Sequence, residues 1–337
     1  MTERVVKIDI AEIAHALKTR KNNNQSMVLL LGSRAGALFH SQSFYETMKG
    51  YSNRNFNMLS RQEQFVECYK LLQQGRFGDR EIHSILTHSL REKTAIEVNI
   101  CLAELVKQDL FDIILSTNVD TFLEDAFKDA GMKEQHDFDV IIPKPDSSLH
   151  DLIYSDKRLS CKMIKAFGDL GPRVYSVAKR DFYLDSIHNL KGILEHILAR
   201  DVLVIGFDPA WDAEMLRAFP AGNGSLWLVT EEDVHNRHPL ASLAKHGRQV
   251  KCITGKMGSS EQFLKALHWH FYERMPMSYQ VVHDMNRELV ALRNKLDKLE
   301  TIYSEVQAVH KELLYLQEKC SHCSESNRGN VTLTNDC

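Results

Sequence analysis

Short, continuous runs of apolar residues recur along the chain, and each run ends in small or polar residues. Seven runs have this form: 27–31, 112–115, 139–142, 163–166, 202–205, 226–229 and 250–253. Longer segments with helical periodicity lie between most of them. Continuous apolar strands that alternate with helices are typical of a parallel sheet covered on both faces. The pattern therefore predicts an α/β fold of the doubly wound, mostly parallel, Rossmann-like type.

Helical periodicity also defines the segments around these strands. Residues 1–24 are predicted as an N-terminal helix with one apolar face, formed by Val6, Ile10, Ile13 and Leu17. The main domain is predicted over 25–277. It contains a large helical insertion after the first predicted strand, at about residues 40–110, which is clearest over 62–73 and 94–107.

The pattern changes after residue 277, where apolar residues recur at alternating spacings of four and three. This seam is formed by Val282, Met285, Leu289, Leu292, Leu296, Leu299, Tyr303, Val306, His310, Leu313, Gln317 and Cys320. Such heptads predict a coiled coil over 278–320 through which the chain self-associates, followed by a disordered polar tail over 321–337. Ile302, Val309 and Leu316 widen the stripe, which favours more than two helices in contact or docking on another surface. The alternative is a long helix that folds back on its own domain.

Composition narrows the class of protein. The 42 basic residues nearly balance the 45 acidic ones, so nucleic acid is not an expected direct ligand. No run approaches the roughly 18 apolar residues that a membrane span needs, and the N-terminus does not resemble a signal peptide. The seven cysteines are scattered and odd in number, which favours reduced thiols in the cytoplasm.

Ligands of open parallel sheets bind outside the carboxyl ends of the strands. The segments that follow the predicted strands are 32–37, 117–120, 167–172, 206–209 and 230–232, and three of them contain glycine. Glycine lets the backbone approach a phosphate closely. We therefore expect Gly32, Asn118 and Gly206 to meet on one rim of one sheet.

The order of these segments resembles the sirtuin-like superfamily. The resemblance covers about residues 27–256, and its most specific parts are Thr117-Asn118-Val119-Asp120 and Gly168-Asp169 followed by Asp181-Phe182. Pro172, Arg180, 204–207 and Asp212 complete the pattern. It is most similar to the bacterial sirtuin-like proteins of antiphage defence, which bind and often hydrolyse NAD.

The resemblance implies roles for individual residues. Gly32 and its loop would hold the pyrophosphate, while Asn118 would lie by the nicotinamide ribose and position the attacking water. Asp120 would orient that loop, and Gly206 and Thr230 would line the adenosine side. The other predicted ligand-binding residues are Ser33, Arg34, Thr117, Phe167, Gly168, Asp169 and Asp208. The alternative is that Asn118 and Asp120 cap the helix predicted over 121–129.

Two positions depart from the family pattern. Phe167 stands where the family has its catalytic histidine, and phenylalanine has no group that can act as a general base. Arg34 follows Gly32-Ser33 where the family has glycine; it either blocks the phosphates or replaces backbone contacts with a guanidinium. The candidates for a substitute base are His40, His136, His150 and His188.

The cysteines do not match the zinc module of protein-deacylating sirtuins, which has two Cys-x-x-Cys pairs. The predicted domain has only the isolated residues Cys68, Cys101, Cys161 and Cys252, so no metal site and no zinc-dependent deacylase is expected. Cys320 and Cys323 form the one Cys-x-x-Cys motif of the chain. They are either exposed thiols or half of a zinc site shared between neighbouring helices.

The sequence therefore predicts a protein that binds NAD or an ADP-ribose-like nucleotide. In one interpretation it is a non-catalytic or weakly catalytic sensor or scaffold subunit, with a protein partner in a bacterial defence assembly; Phe167 and Arg34 favour this. In the other it is an active NAD hydrolase that depletes NAD during phage infection; Asn118 and Asp120 favour this.

Overall fold

The computed structural model describes residues 5–91, 97–144, 161–176, 190–222, 224–234 and 238–328. The chain divides into two compact units, Met1–Ser278 and Tyr279–Cys337. Across the described residues, no helix has both the length and the apolar character that crossing a membrane requires.

The first unit is built on a sheet of eight strands that are all parallel to their neighbours. The strands are β1 (Val5–Lys7), β2 (Met27–Leu31), β3 (Phe111–Ser116), β4 (Phe138–Ile141), β5 (Cys161–Lys165), β8 (Val202–Ile205), β9 (Ser225–Val229) and β10 (Gln249–Ile253). Their order across the sheet is β1-β10-β9-β8-β2-β3-β5-β4. A separate antiparallel hairpin consists of β6 (Gly168–Asp169) and β7 (Val174–Tyr175). The Rossmann-like parallel sheet and all seven predicted strands are confirmed.

The eighth strand corrects the prediction for the N-terminus. Val6, which the periodicity assigns to a helix, lies in β1 and pairs with Lys251 at the edge of the sheet. Helix α1 (Ile10–Asn22) begins only after Asp9, whose side chain accepts a hydrogen bond from Glu12 N at 2.8 Å. This capping box sets the start of the helix and leaves Val5 and Val6, both β-branched, free to extend.

Helices cover both faces of the sheet. They are α2 (Gln42–Lys49), α3 (Arg61–Gln73), α4 (Asp79–Leu90), α5 (Glu97–Val106), α6 (Phe122–Asp129), α7 (Leu190–Leu198) and α8 (Ser260–Tyr272), besides α1. The predicted insertion after β2 is confirmed as α2 to α5. Since both faces are covered, every residue of β2 is buried, which is why the strands read as unbroken apolar runs.

The second unit is dominated by one helix, α9 (Met277–Arg328), of 52 residues. It continues past the predicted end at Cys320, so residues 321–328, predicted as disordered, are helical, and 329–337 lie outside the described residues. Described members of the predicted seam are highly exposed: Leu292 at 58 %, Leu296 at 59 % and Leu299 at 63 %. A regular row of exposed leucines on a long helix favours association with another helix.

We predict that deleting the residues after Ser278 leaves the first unit folded but reduces the number of chains in the assembly in solution. The sheet is complete at β10, and α8 ends at Tyr272, whereas each leucine buried in a helical seam contributes roughly 1.5–3 kcal/mol to association. Sedimentation and light scattering measure the outcome. An unchanged oligomer would contradict the assembly role of α9, and precipitation would indicate that the helix packs on its own domain.

A pair of substitutions in the full-length chain isolates the seam from the rest of the helix. Leu292→Asp with Leu299→Asp places two charges in the seam and should dissociate the assembly. Asn294→Asp with Thr301→Asp adds the same charges at the same spacing on the opposite side of the helix. This control should keep the mass of the unaltered protein.

Candidate functional site

The carboxyl ends of β2, β3 and β8 meet at the point where the strand order reverses. The chain runs from β2 outward through β3 and returns on the other side of β2 as β8. Gly32 N donates to Ile205 O at 2.9 Å, Arg34 N donates to Gly206 O at 2.8 Å, and the Asn118 side-chain amide donates to Gly32 O at 3.3 Å. The expected convergence of Gly32, Asn118 and Gly206 on one rim is confirmed, at the place where open α/β sheets bind ligands.

Gly32 and Gly206 allow the two strand-end loops to touch. A Cβ on Gly32 would lie 2.5 Å from Gly206 O, and a Cβ on Gly206 would lie 2.6 Å from Ala35 N. Gly206 also has a φ of +70°, which side-chain-bearing residues rarely adopt. Both glycines are therefore required by contact between backbones of the chain itself.

Arg34 is buried and paired with two carboxylates. Its Nε lies 2.8 Å from Asp208 Oδ2, and its second guanidinium nitrogen lies 2.7 Å from Glu232 Oε1. Although burial acts in the opposite direction, the two carboxylates raise the pKa of Arg34 above its ordinary value. One alternative for Arg34 was that its side chain blocks the phosphates, and the other was that its guanidinium binds them; in the structure the charge is already compensated by Asp208 and Glu232.

Asp212 holds the loop after β2 to the loop after β8. Its Oδ2 accepts from Ser33 N at 3.0 Å, from Ser33 Oγ at 3.1 Å and from Asp208 N at 2.7 Å. Burial raises the pKa of Asp212 to about 7, and nearby Asp208 adds to the effect, against the hydrogen bonds it accepts. Asp212 is part of the family pattern in the sequence, but the pattern indicates no role for it. Its partner Ser33 is 179 positions away along the chain, so no local pattern connects the two residues.

Asp120 and Asn118 both make structural contacts. Asp120 Oδ1 accepts at 3.3 Å from the backbone N–H of Phe122, the first residue of α6, and its Oδ2 accepts from Ala37 N at 3.2 Å. Burial is the main cause that raises the pKa of Asp120. The Asn118 Oδ1 atom occupies the space beside Gly36, where a Cβ would lie only 2.0 Å from it. The N-cap position of α6 is Thr121, whose side chain makes no capping bond, so of the capping alternative there is only the contact of Asp120 with Phe122 N, while Asn118 bridges to the loop after β2.

Phe167, Gly168 and Asp169 belong to the start of the β6–β7 hairpin. Phe167 is buried among apolar side chains. Gly168 has a φ of +83°, and a Cβ there would lie 2.0 Å from Val174 O. The Asp169 carboxylate pairs with the buried Lys165, which also contacts Glu124 Oε1 at 2.7 Å. Arg180, Asp181 and Phe182, the remainder of this motif, lie outside the described residues.

Thr117 and Thr230 are buried at the ends of β3 and β9. Thr117 N and Oγ1 both donate to Leu31 O, at 3.0 and 3.3 Å. Thr230 N donates to Ile253 O at 3.1 Å, and its Oγ1 accepts from Glu232 N at 3.2 Å. Both hydroxyls therefore help to set the backbone of the rim.

A short 3₁₀ turn, Ser33–Ala35, separates two cavities on this rim. The first, between Ser33, Asn118, Phe167 and Asp212, has a volume of about 40 Å³. The second, between Arg34, Gly206, Thr230 and the start of α8, has a volume of about 270 Å³. Ligand pockets usually measure about 300–1,000 Å³. The side with Thr230 therefore approaches the size of a ligand site, whereas the side with Asn118 holds little more than water.

The histidines proposed as substitute bases do not lie at Asn118. His40 lines the larger cavity, on the other side of the 3₁₀ turn. The side chain of His136 is 80 % exposed and contacts Asp137. His150 and His188 lie outside the described residues.

The described cysteines Cys68, Cys101, Cys161 and Cys252 are buried free thiols. Within the described part of the chain, no three His, Cys, Asp or Glu side chains are grouped so that they could hold a metal ion. The side chains of Cys320 and Cys323 lie outside those that the structure describes.

Comparison with known proteins leaves the family open. Neither a protein-family model nor a curated protein matches the chain. The chain is similar to a solved structure described as "Structural Basis for the Mechanism and Regulation of Sir2 Enzymes", with 11 % sequence identity and a TM-score of 0.33. The alignment covers 77 % of this chain and 96 % of that chain. The sirtuin-like resemblance remains an interpretation of the sequence motifs.

The raised pKa of Asp212 predicts a specific dependence of stability on pH. When a carboxyl group has a higher pKa in the folded state, the unfolded chain loses the proton first as the pH rises, and folding becomes less favourable. The pKa of Asp212 rises from an ordinary 3.8 to about 7. Relative to Asp212→Asn, the unaltered chain should lose stability between about pH 4 and about pH 7, by at most about 4 kcal/mol.

Urea denaturation of both proteins across this range measures the difference in the free energy of unfolding. Asp137→Asn is the matched control, because a hydrogen bond from Lys133 N lowers the pKa of Asp137 and confines its own effect to lower pH. If the difference in the free energy of unfolding between the unaltered chain and Asp212→Asn does not vary with pH, the raised pKa of Asp212 is contradicted.

Proposed function

We propose that the first unit binds the ADP-ribose part of NAD or a related nucleotide and does not hydrolyse NAD at Asn118. The observation that carries the proposal is the asymmetry of the rim. The cavity beside Thr230 measures about 270 Å³, and the one beside Asn118 measures about 40 Å³. The predicted adenosine side, beside Thr230, therefore has room for part of a nucleotide. The side beside Asn118 has too little room for a nicotinamide ribose.

The larger cavity offers partners for both phosphate and ribose. The guanidinium of Arg61, held 3.7 Å from the centre of the Tyr45 ring, supplies positive charge. The first turn of α8 begins there, and the amide groups of a first turn have no acceptor within their own helix. Glu231 and Glu261 line the same cavity. Carboxylates of this kind bind ribose hydroxyls in dinucleotide sites, so the chemistry matches a nucleotide with at least one phosphate.

The smaller cavity is poorly equipped for hydrolysis. Phe167 occupies the position of the expected base, and the Asn118 amide already donates to Gly32 O. A general base must reach the proton that it removes. The site would need to open before an attacking water and a ribose fitted beside Asn118.

One observation favours the alternative, an active NAD hydrolase with a relocated base. Asp212 lines the same small cavity as Asn118, and burial raises its pKa to about 7. That value suits a general base near neutral pH. Its Oδ2 atom, however, already accepts three hydrogen bonds from Ser33 and Asp208.

In this proposal the first unit binds a nucleotide and is joined to a helix with an exposed apolar seam. This is the organisation expected of a sensor or scaffold subunit. The nucleotide would act as the ligand, and α9 would carry the association with other copies or with a protein partner. A place in a bacterial defence assembly rests on the resemblance of the sequence motifs.

Binding measurements separate the two sides of the site. NAD and ADP-ribose should bind with similar affinity by isothermal titration calorimetry, because both carry the ADP part, whereas nicotinamide mononucleotide should not bind. Arg61→Ala should weaken both nucleotides by about tenfold or more, the usual cost of a hydrogen bond to a charged group. Arg76→Ala, an exposed arginine outside these cavities, should leave binding unchanged. Equal binding of nicotinamide mononucleotide would place the ligand at Asn118 instead.

Nicotinamide release distinguishes the two candidate functions. We expect little or no nicotinamide from NAD with the unaltered protein, measured by chromatography. Release that is lost in Asn118→Ala would establish the hydrolase in place of the proposed function. Phe167→His is the complementary variant; it should remain inactive because the cavity beside it is closed, and a gain of activity would show that a ribose enters.

A further inference from the structure

A second cleft lies outside the rim, along one polar face of α4. Arg80, His83 and Thr87 recur at spacings of three and four on this helix, and Arg91 follows its end at the same spacing. Residues at this spacing share one side of a helix. The other side, with Leu86 and Leu90, is buried in the hydrophobic core. The polar face is therefore presented away from the core.

The β6–β7 hairpin forms the opposite wall of this cleft. The Tyr175 hydroxyl lies 3.3 Å from His83 Nδ1, and the two rings stack with centroids 5.9 Å apart. Arg173, in the turn of the hairpin, has a φ of +58°, a conformation that arginine rarely adopts. This turn brings a third arginine to the wall that faces Arg80 and Arg91.

The cleft has the size of a small-molecule site and carries a local excess of positive charge. Its volume is about 670 Å³, within the usual range of about 300–1,000 Å³. Among the residues that the structure describes, Arg80, Arg91 and Arg173 line it against a single carboxylate, Asp79, although the whole chain has a net charge of −3. In the part of the chain that the structure describes, none of these arginines forms an ion pair.

We propose that this cleft binds a small phosphorylated molecule that carries two or more phosphate groups. Guanidinium groups match phosphate oxygens with paired hydrogen bonds, and three of them from two structural elements surround one space. The hydroxyl of Ser84 adds a neutral donor, and those of Thr87 and Tyr175 lie within hydrogen-bond distance of the His83 ring. None of the described residues lines both this cleft and the proposed nucleotide cavity, so the proposal treats the cleft as a separate site with a ligand of its own.

Inorganic tripolyphosphate is the probe for this site, titrated calorimetrically into the full chain at about 0.15 M ionic strength. Arg80→Ala with Arg91→Ala should lower its affinity by about tenfold or more, and Arg173→Ala alone should lower it in the same direction. The control is Lys49→Ala with Arg76→Ala, which removes two positive charges from exposed positions elsewhere and should leave the affinity unchanged. Because the substituted arginines are exposed, thermal melting should show that all variants stay folded.

Three outcomes would overturn the proposal. The first is that tripolyphosphate does not bind the unaltered chain, and the second is that the control loses as much affinity as the cleft variants. The third is loss of binding in Arg61→Ala but not in the cleft variants, which would place the anion in the nucleotide cavity. Tighter binding of a short single-stranded DNA than of tripolyphosphate, lost in the same cleft variants, would also overturn it in favour of a nucleic-acid surface.

Discussion

The rim of the sheet depends on direct contact between the loops that follow β2 and β8. Gly32 and Gly206 bring the two backbones together because neither has a side chain to hold them apart. Asp212 then joins the loops through hydrogen bonds to Ser33 and to Asp208 N. With the loops joined, Arg34 reaches Asp208 and Glu232, and the 3₁₀ turn divides the space at the switch point. The small cavity beside Asn118 lies against these joined loops, with Ser33 and Asp212 in its lining.

Much of the fold was predictable because it depends on local patterns. The covered parallel sheet demands apolar strands, and all seven apolar runs became strands. β1 was missed because a strand of three residues is too short for its periodicity to differ from that of the helix that follows. The position of Gly32, Asn118 and Gly206 was also predictable, because the carboxyl ends of neighbouring parallel strands meet at one edge.

The properties of the site were less predictable because they depend on contacts between distant residues. Arg34 is paired with Asp208 and Glu232, which lie 174 and 198 positions away. From the sequence alone, an arginine in a glycine loop indicates a ligand or an obstruction, and nothing in its neighbours reveals two carboxylates. Likewise, the cleft beside α4 requires Arg173 and Tyr175 from a hairpin whose approach to His83 no local pattern encodes.

The β6–β7 hairpin is a wall shared by two cavities. Tyr175 faces the cleft along α4, and the next residue, Ser176, lines the small cavity that contains Asn118. The backbone of the hairpin is also constrained, because a side chain at Gly168 would have no room against Val174. An occupant of the cleft that displaces this wall changes the space beside Asn118. By thermodynamic reciprocity, an occupant beside Asn118 then changes the affinity of the cleft by the same factor.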